Sequence, residues 1–368
     1  MCAEHRGRTP HAPHATTTSA SIVARPRVML RASARVASSA VVALSVTALA
    51  QATSLQMAYV SAPEAVGPRR GVVRCARDVA RGGEGVCGGA RVIPGGARAM
   101  GDGRRRVVVH VAGDSTACGV GCASSAGTSD DVALDARSGT LLDARRRGPT
   151  LARSFAMGVG ESLGADVEWR ALGFKGADVA EMRRTLVPAL RRAIDEDAGV
   201  RGRDAAASTS SAVPHAVVIM CGINDAKRSI LGRTSAAFRE ELQALVREVR
   251  EVVGEECVVV LPATPLEAAT LFPPPLVWVA TRLNDLWDEQ KAHVSRLTKN
   301  VIFVSKPSLE SMRERASKAT GRVAHSISLV CGDGVHPNDV GYDAWARHIA
   351  EECAPTLRRA LASQGGGE

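Results

Sequence analysis

The hydrophobic pattern between residues 105 and 360 alternates short apolar runs with longer stretches in which apolar residues recur every three or four positions. Continuous apolar runs are typical of strands buried on both faces, and the longer period is typical of amphipathic helices. Five strands are predicted, one within 105–116 and the others over 166–172, 215–221, 257–263 and 300–305. Because strands and helices alternate, we expect an α/β fold with a parallel sheet between two layers of helices.

The clearest helical pattern lies between Phe238 and Val253, where apolar residues take one face, charged residues take the other, and Gly254 follows. This arrangement predicts an amphipathic helix that ends at the glycine. A second helix is predicted over 150–163. The Gly-, Ser- and Asp-rich stretch over 119–149 predicts a long loop, either disordered or a lid, and 199–212 predicts a loose insertion.

Charge is distributed unevenly along the chain. Residues 1–100 contain 13 arginines, no lysine and four acidic residues, a balance of +9 that equals the net charge of the whole protein. The basic character therefore belongs to the N-terminal part and gives no support to nucleic-acid binding, which needs a basic face on the folded domain. Residues 1–35 are rich in Arg, Ala, Ser and Thr with Glu4 as the only acid, which is typical of an organellar transit peptide for plastid or mitochondrion.

Residues 36–63 carry no charge, and three interpretations stay open. The stretch is a signal sequence for the secretory pathway cleaved after Ala48-Leu49-Ala50, a membrane anchor that extends towards Val60, or more transit peptide. Serine, threonine and glutamine residues dilute it below the apolarity typical of a membrane span. Residues 64–104 are rich in Gly, Arg and Pro and predict a linker, which leaves 105–362 as the folded domain.

The nine cysteines are odd in number and contain no C-x-x-C pair, so neither a disulfide framework nor a metal site is expected. We interpret most of them as small buried hydrophobic residues in a reducing compartment. Cys118, Cys221 and Cys331 fall near the candidate site described next, and for them a redox role is the alternative to packing.

Residues suited to ester cleavage follow successive strands. Ser115 follows the first strand, Gly176 the second and Asn224 the third, while Asp333 and His336 lie three residues apart in a late turn-rich loop. Cleavage by serine needs a nucleophile, a base, a group that orients the base, and donors for the developing oxyanion. The alternative for Ser115 alone is a helix cap, but the other residues supply each remaining requirement.

Four blocks in this order resemble the successive sequence blocks of the SGNH, or GDSL-type, hydrolases over about residues 105–353: Gly113-Asp114-Ser115-Thr116, Gly173-Phe174-Lys175-Gly176, Gly222-Ile223-Asn224-Asp225 and Asp333-Gly334-Val335-His336-Pro337. The resemblance implies a flavodoxin-like three-layer α/β/α sandwich, for which we expect a five-stranded parallel sheet. It also implies that Ser115 is the nucleophile, His336 the base and Asp333 its partner. The N–H groups of Ser115 and Gly176 and the Asn224 amide would form the oxyanion hole.

Details near these blocks add further expectations. Thr116 stands where the family name has leucine, and Ala171 stands where many relatives carry asparagine, which weakens the assignment of Gly176. The stretch from 51 to 71, with Tyr59-Val60-Ser61-Ala62-Pro63-Glu64, is similar to the segment that follows an N-terminal membrane anchor in bacterial members. Asp114 is expected to hydrogen-bond the loop backbone. The proline-rich stretch 272–278 either lines an acyl pocket or starts a helix.

These observations together predict a serine esterase that cleaves a carboxylic ester through an acyl-enzyme, without a metal or other cofactor. The expected substrate is a small-molecule, lipid or sugar ester. Two alternatives remain at this point: an O-acyltransferase on the same fold, and a non-catalytic flavodoxin-like binding domain tethered to a membrane through residues 36–60.

Overall fold

The computed structural model describes residues 26–65, 67–77, 87–94, 106–122, 148–203 and 213–365. Most of the leader predicted over 1–35, most of the loop over 119–149 and most of the insertion over 199–212 lie outside the described residues. The strands are β1 Arg70–Arg77, β2 Cys87–Pro94, β3 Arg106–Gly113, β4 Asp166–Gly173, β5 Ala216–Met220, β6 Val258–Pro262 and β7 Val301–Val304. The helices are α1 Pro26–Ala58, α2 Thr150–Leu163, α3 Val179–Arg203, α4 Ile223–Lys227, α5 Ser235–Val253, α6 Leu276–Leu297, α7 Leu309–Thr320 and α8 Asp339–Gly365.

The strands form one sheet in the order β2-β1-β4-β3-β5-β6-β7. The five predicted strands are β3 to β7, and all neighbours among them are parallel, so the parallel part of the prediction is confirmed. Numbered among themselves, these five follow the order 2-1-3-4-5 of flavodoxin-like sheets. In such sheets ligands bind outside the carboxyl ends of the strands, where the strand order reverses.

Two further strands correct the prediction of five. β1 pairs antiparallel with the free edge of β4, and β2 pairs antiparallel with β1, so the described sheet has seven strands. Both come from 64–104, and the prediction of a linker is therefore wrong for β1 and β2. Their short apolar centres are Val72-Val73, between glycine and arginine, and Val92-Ile93, between arginine and proline, and such short runs hid the strand pattern.

Helices cover both faces of the sheet and confirm the three-layer sandwich. On one face α2, α7 and α8 bury apolar residues such as Phe155, Met312 and Trp345 against the strands. On the other face α3, α5 and α6 bury residues such as Leu186, Leu242 and Trp287. The crossover after β3 thus goes to one face, while those after β4, β5 and β6 go to the other. The reversal places the ligand crevice at the ends of β3 and β5.

Helix α1 covers most of the uncharged segment predicted over 36–63. None of the helices described, α1 among them, is long and apolar enough to cross a membrane, so the anchor interpretation gains no support. The C-terminal end of α1 contacts the start of α6. Gln51 donates to the Pro274 carbonyl at 3.1 Å and accepts from the Leu276 N–H at 3.3 Å.

Candidate active site

Ser115 lies in the tight turn that leaves β3, with 6% of its surface exposed. Gly113 makes this turn possible because its φ is +142°, and a Cβ there would lie 2.1 Å from the Met220 carbonyl oxygen of β5. Only glycine tolerates both the backbone angle and this close approach. The Val120 N–H donates to the Ser115 carbonyl at 3.0 Å and closes the turn. The serine hydroxyl is thereby held at the carboxyl edge of the sheet.

A chain of two hydrogen bonds links Ser115 to a carboxylate through a histidine. The Ser115 Oγ lies 2.9 Å from His336 Nε2, and His336 Nδ1 lies 2.7 Å from Asp333 Oδ2. Because a carboxylate only accepts hydrogen bonds, Nδ1 carries the proton and Nε2 offers its lone pair to the serine hydroxyl. The structure therefore brings these three predicted residues together in the arrangement that activates a serine.

The Asp333 carboxylate is held in its charged form. Its side chain is only 2% exposed, and burial by itself raises the pKa of a carboxyl group. Hydrogen bonds from His336 and from the backbone N–H groups of Ala62, Val335 and His336 outweigh burial and hold the pKa of Asp333 well below its usual range. The Cys331 thiol adds a contact at 3.2 Å to Oδ1. Asp333 is consequently an anion throughout the neutral pH range.

Two donors to Asp333 come from the segment that follows α1 and were missed from the sequence. The Tyr59 hydroxyl donates to Asp333 Oδ2 at 3.1 Å, and the Ala62 N–H donates to the same oxygen at 3.0 Å. The sequence offered one signal, the similarity of the stretch around Tyr59 to a segment found in bacterial members. That similarity did not reveal a contact with a residue more than 270 positions away.

The two further oxyanion-hole candidates lie beyond the neighbouring strands. Asn224 opens α4 after β5 and is 8% exposed, and its Nδ2 donates to the Ala177 carbonyl at 3.0 Å. An amide nitrogen carries two hydrogens, so the second remains for another acceptor. Gly176 directly precedes Ala177, is exposed, and has a φ of +78° with open space on its Cβ side. The Asn224 bond therefore joins these two loops.

The structure confirms the expectations for Asp114 and for two of the nearby cysteines. Asp114 is buried, and its Oδ1 accepts from the Thr116 N–H at 2.9 Å and the Thr116 hydroxyl at 2.7 Å, which confirms its predicted bond to the loop backbone. Cys118 and Cys221 are buried, which confirms the packing interpretation, and burial raises the pKa of their thiols to about 11 and about 12. Among the described residues, no group of three or more His, Cys, Asp or Glu side chains could hold a metal ion.

A narrow crevice opens beside the Ser115 hydroxyl and His336. Apolar side chains that include Pro265, Leu266 and Val335 line it, and Lys227 lies at its rim. Its volume is about 30 Å³. The proline-rich stretch 272–278 leads into α6, which agrees with its interpretation as a helix start, and none of its residues lines this crevice.

Comparison with protein families decides the identity of the domain. The model of the GDSL-like lipase/acylhydrolase family matches residues 111–344, more than half of the chain. The chain belongs to this family. As a GDSL-like lipase/acylhydrolase it is an ester-cleaving hydrolase, and the alternative of a non-catalytic binding domain is wrong.

Two solved structures illustrate what the GDSL-like chain is similar to. Axe2, an acetylxylan esterase from Geobacillus stearothermophilus, is 17% identical, with a TM-score of 0.38 over 68% of this chain and 94% of Axe2. The lipase Lip_vut3 from a goat rumen metagenome is 14% identical, with a TM-score of 0.41 over 69% of this chain and 97% of Lip_vut3. These similarities are too distant to bear on the substrate. No curated protein sequence matches the chain.

Proposed function

We propose that this hydrolase cleaves short-chain carboxylic esters with Ser115 as the nucleophile, through an acyl-enzyme intermediate. The observation that carries the proposal is the unbroken chain of hydrogen bonds from the Ser115 hydroxyl through His336 to Asp333, with distances of 2.9 and 2.7 Å. A serine hydroxyl is a weak nucleophile until an adjacent base accepts its proton. His336 is in place to do so, and the anionic Asp333 stabilises the imidazolium that results.

The reaction proceeds in two halves. Ser115 Oγ attacks the ester carbonyl carbon while His336 Nε2 takes the hydroxyl proton, and a tetrahedral intermediate forms. The bond to the alcohol oxygen then breaks, His336 returns the proton to the departing alcohol, and the acyl group remains on Ser115. Water attacks this acyl-enzyme with His336 as base. The carboxylic acid leaves, and Ser115 regains its proton.

The negative charge that develops on the carbonyl oxygen needs donors in place before the reaction. We assign this role to the Ser115 N–H, the Gly176 N–H and the Asn224 amide. The bond from Asn224 Nδ2 to the Ala177 carbonyl supports the assignment, because it fixes the amide plane and holds the Asn224 side chain beside the Gly176 loop. Each donor comes from the end of a different parallel strand, at the edge where such sheets bind ligands.

The crevice indicates the size of the acyl group. The space beside Ser115 is small, about 30 Å³, and Pro265 and Leu266 are among the residues that border it. Closely packed walls favour a short acyl group over an extended alkyl chain. We therefore expect acetyl esters to react faster than octanoyl esters.

The test is hydrolysis of p-nitrophenyl acetate, butyrate and octanoate by the full-length protein and two serine variants. Ser115→Ala is expected to lower kcat by at least about a thousandfold. Ser154→Ala, which removes another buried serine on α2 away from the site, is expected to retain activity. A fluorophosphonate probe should label the wild type and Ser154→Ala but not Ser115→Ala. Full activity of Ser115→Ala would refute the proposal.

The O-acyltransferase alternative shares every residue of this mechanism and differs only in the acceptor. Product analysis in the presence of glycerol or xylose separates the two reactions. Free carboxylic acid as the main product supports the hydrolase, whereas acylated acceptor as the main product at low alcohol concentration identifies a transferase.

A further inference from the structure

Three donors meet on one oxygen of the candidate triad. Asp333 Oδ2 accepts from His336 Nδ1 at 2.7 Å, from the Ala62 N–H at 3.0 Å and from the Tyr59 hydroxyl at 3.1 Å. The Tyr59 oxygen also lies 3.2 Å from His336 Nδ1. Tyr59 therefore contacts both members of the pair that orients the base, although it does not line the substrate crevice.

The segment that carries Tyr59 is fixed at both ends. Upstream, Gln51 in the last turns of α1 bonds to Pro274 and Leu276 at the start of α6. Downstream, the Pro63 carbonyl accepts from the Gly121 N–H at 3.1 Å, in the same turn that holds Ser115. We call residues 59–63 the N-terminal strap. Because both anchors are made with the folded domain, the position of the Tyr59 hydroxyl follows from the fold.

The Tyr59 hydroxyl remains a donor at all pH values at which an esterase works. Burial and the neighbouring charge of Asp333 raise its pKa to about 12. A protonated phenol beside an anionic carboxylate donates its hydrogen to the carboxylate. Hydrogen bonds of this charge-assisted kind are stronger and more directional than those between neutral groups.

We infer that Tyr59 is a positioning residue for the reaction, a fourth side chain that holds the Asp333 carboxylate and, through it, the His336 ring in line with Ser115. The inference rests on the proposed function, because it requires His336 to act as the base. Val335, His336 and Cys331 contact Oδ1, so Oδ2 depends on Ala62 and Tyr59 for its remaining donors. Ala62 donates through the backbone, which side-chain substitution does not remove, and Tyr59 is the partner that mutation can test.

The experiment compares Tyr59→Phe with Val60→Ala in the full-length protein. Tyr59→Phe keeps the ring and removes only the hydroxyl, whereas Val60 lies in the same strap with 82% of its surface exposed. Tyr59→Phe is expected to lower kcat by about tenfold and to leave KM unchanged, because Tyr59 is outside the crevice. Val60→Ala is expected to match the wild type in both constants.

A proton NMR measurement separates positioning from a general loss of structure. The hydrogen-bonded Nδ1 proton of His336 gives a downfield signal, assigned by its absence in His336→Gln. This signal is expected to move in Tyr59→Phe and to stay in place in Val60→Ala. An unchanged signal, or a kcat for Tyr59→Phe within about twofold of the wild type, would overturn the inference. If Ser115→Ala is inactive in the same assay, the proposed function survives that result.

Discussion

Six donors surround the Asp333 carboxylate, three on each oxygen. A carboxylate offers about four lone-pair sites, so every site of the charged group has a donor. A protonated carboxyl or a neutral side chain in its place would leave several of these donors without an acceptor. Donors left unpaired in a buried place cost free energy. At the scale of the residue, Asp333 is thus a structural anion as well as a candidate member of the triad.

Asp333→Asn tests whether the charge of Asp333 stabilises the fold, through the free energy of unfolding. The folded-state pKa of Asp333 lies below its unfolded value of about 3.9, so the unfolded state binds the proton first. Its contribution is complete above about pH 5 and is lost as the pH falls towards the folded pKa. The wild type should exceed the variant by about 2 kcal/mol in unfolding free energy at pH 6, and by less at pH 3.

Urea titrations at both pH values measure this difference. Glu240→Gln, which removes an exposed carboxylate from α5, is the control and is expected to change little at either pH. A gap between the wild type and Asp333→Asn that stays constant from pH 6 to pH 3 would contradict the role of Asp333 as a structural anion.

Asn224→Ala addresses the proposed oxyanion hole. Removal of one such donor typically lowers kcat by about a hundredfold to a thousandfold. We expect a loss in that range with a small change in KM, because the donor acts mainly on the charge of the transition state. Steady-state kinetics with p-nitrophenyl acetate measures it. A rate close to that of the wild type would remove Asn224 from the assignment.

At the scale of the element, the contact between α2 and α8 depends on a glycine. A Cβ on Gly158 would lie 2.7 Å from the Ala350 Cβ of α8. The absence of a side chain at Gly158 therefore allows the two helices to pack closely. α8 follows directly after the loop that carries Asp333 and His336, so this contact also supports the site.

Gly158→Val is expected to destabilise the protein by about 1 to 3 kcal/mol, because the added side chain forces the two helices apart. Gly199→Ala is the matched control, since Gly199 lies on an exposed part of α3 with no atom within 4 Å of its Cβ position. There alanine should raise stability by roughly 0.5 to 1 kcal/mol through its helix propensity. Chemical denaturation gives both values, and equal effects of the two variants would contradict the packing argument.

Elements with a strong apolar periodicity could be predicted from the sequence, whereas elements with a weak apolar pattern could not. The helix over 150–163 and the amphipathic helix up to Val253 agree with α2 and α5, because a continuous apolar face is visible in the sequence alone. β1 and β2 were missed because two apolar residues between glycine, arginine or proline do not distinguish a strand from a loop. Their strand character depends on the free edge of β4, which exists only after the sheet has formed.

At the scale of the whole molecule, the seven strands differ in how well they are enclosed. β3 and β5 have neighbours on both sides and helices on both faces, whereas β7 pairs with β6 alone in the sheet as described. We expect the amides of β3 and β5 to exchange with deuterium slowest and those of β7 faster, because edge strands open locally at lower cost. Native-state hydrogen exchange measures this order. Equal protection of β7 and β3 would contradict it.

The sequence predicts one part of the candidate site and not the other. Ser115, Gly176 and Asn224 follow strands, and Asp333 and His336 share one loop, so a parallel sheet brings them to one edge. Tyr59 and Ala62 reach that edge from a segment outside the parallel strands, and Ala62 acts through an N–H that every residue except proline possesses. The organellar destination stays a prediction, and the predicted domain start at 105 lies too far along the chain because β1 and β2 belong to the same sheet.

The N-terminal strap limits how far the chain can be shortened from its N-terminal side. A processing protease that cuts after Ala50 leaves the strap attached and the carboxylate fully surrounded, whereas trimming beyond Tyr59 removes its hydroxyl. A chain that begins at or before Tyr59, the residue directly after α1, therefore keeps this donor to Asp333, whereas a chain that begins later lacks it.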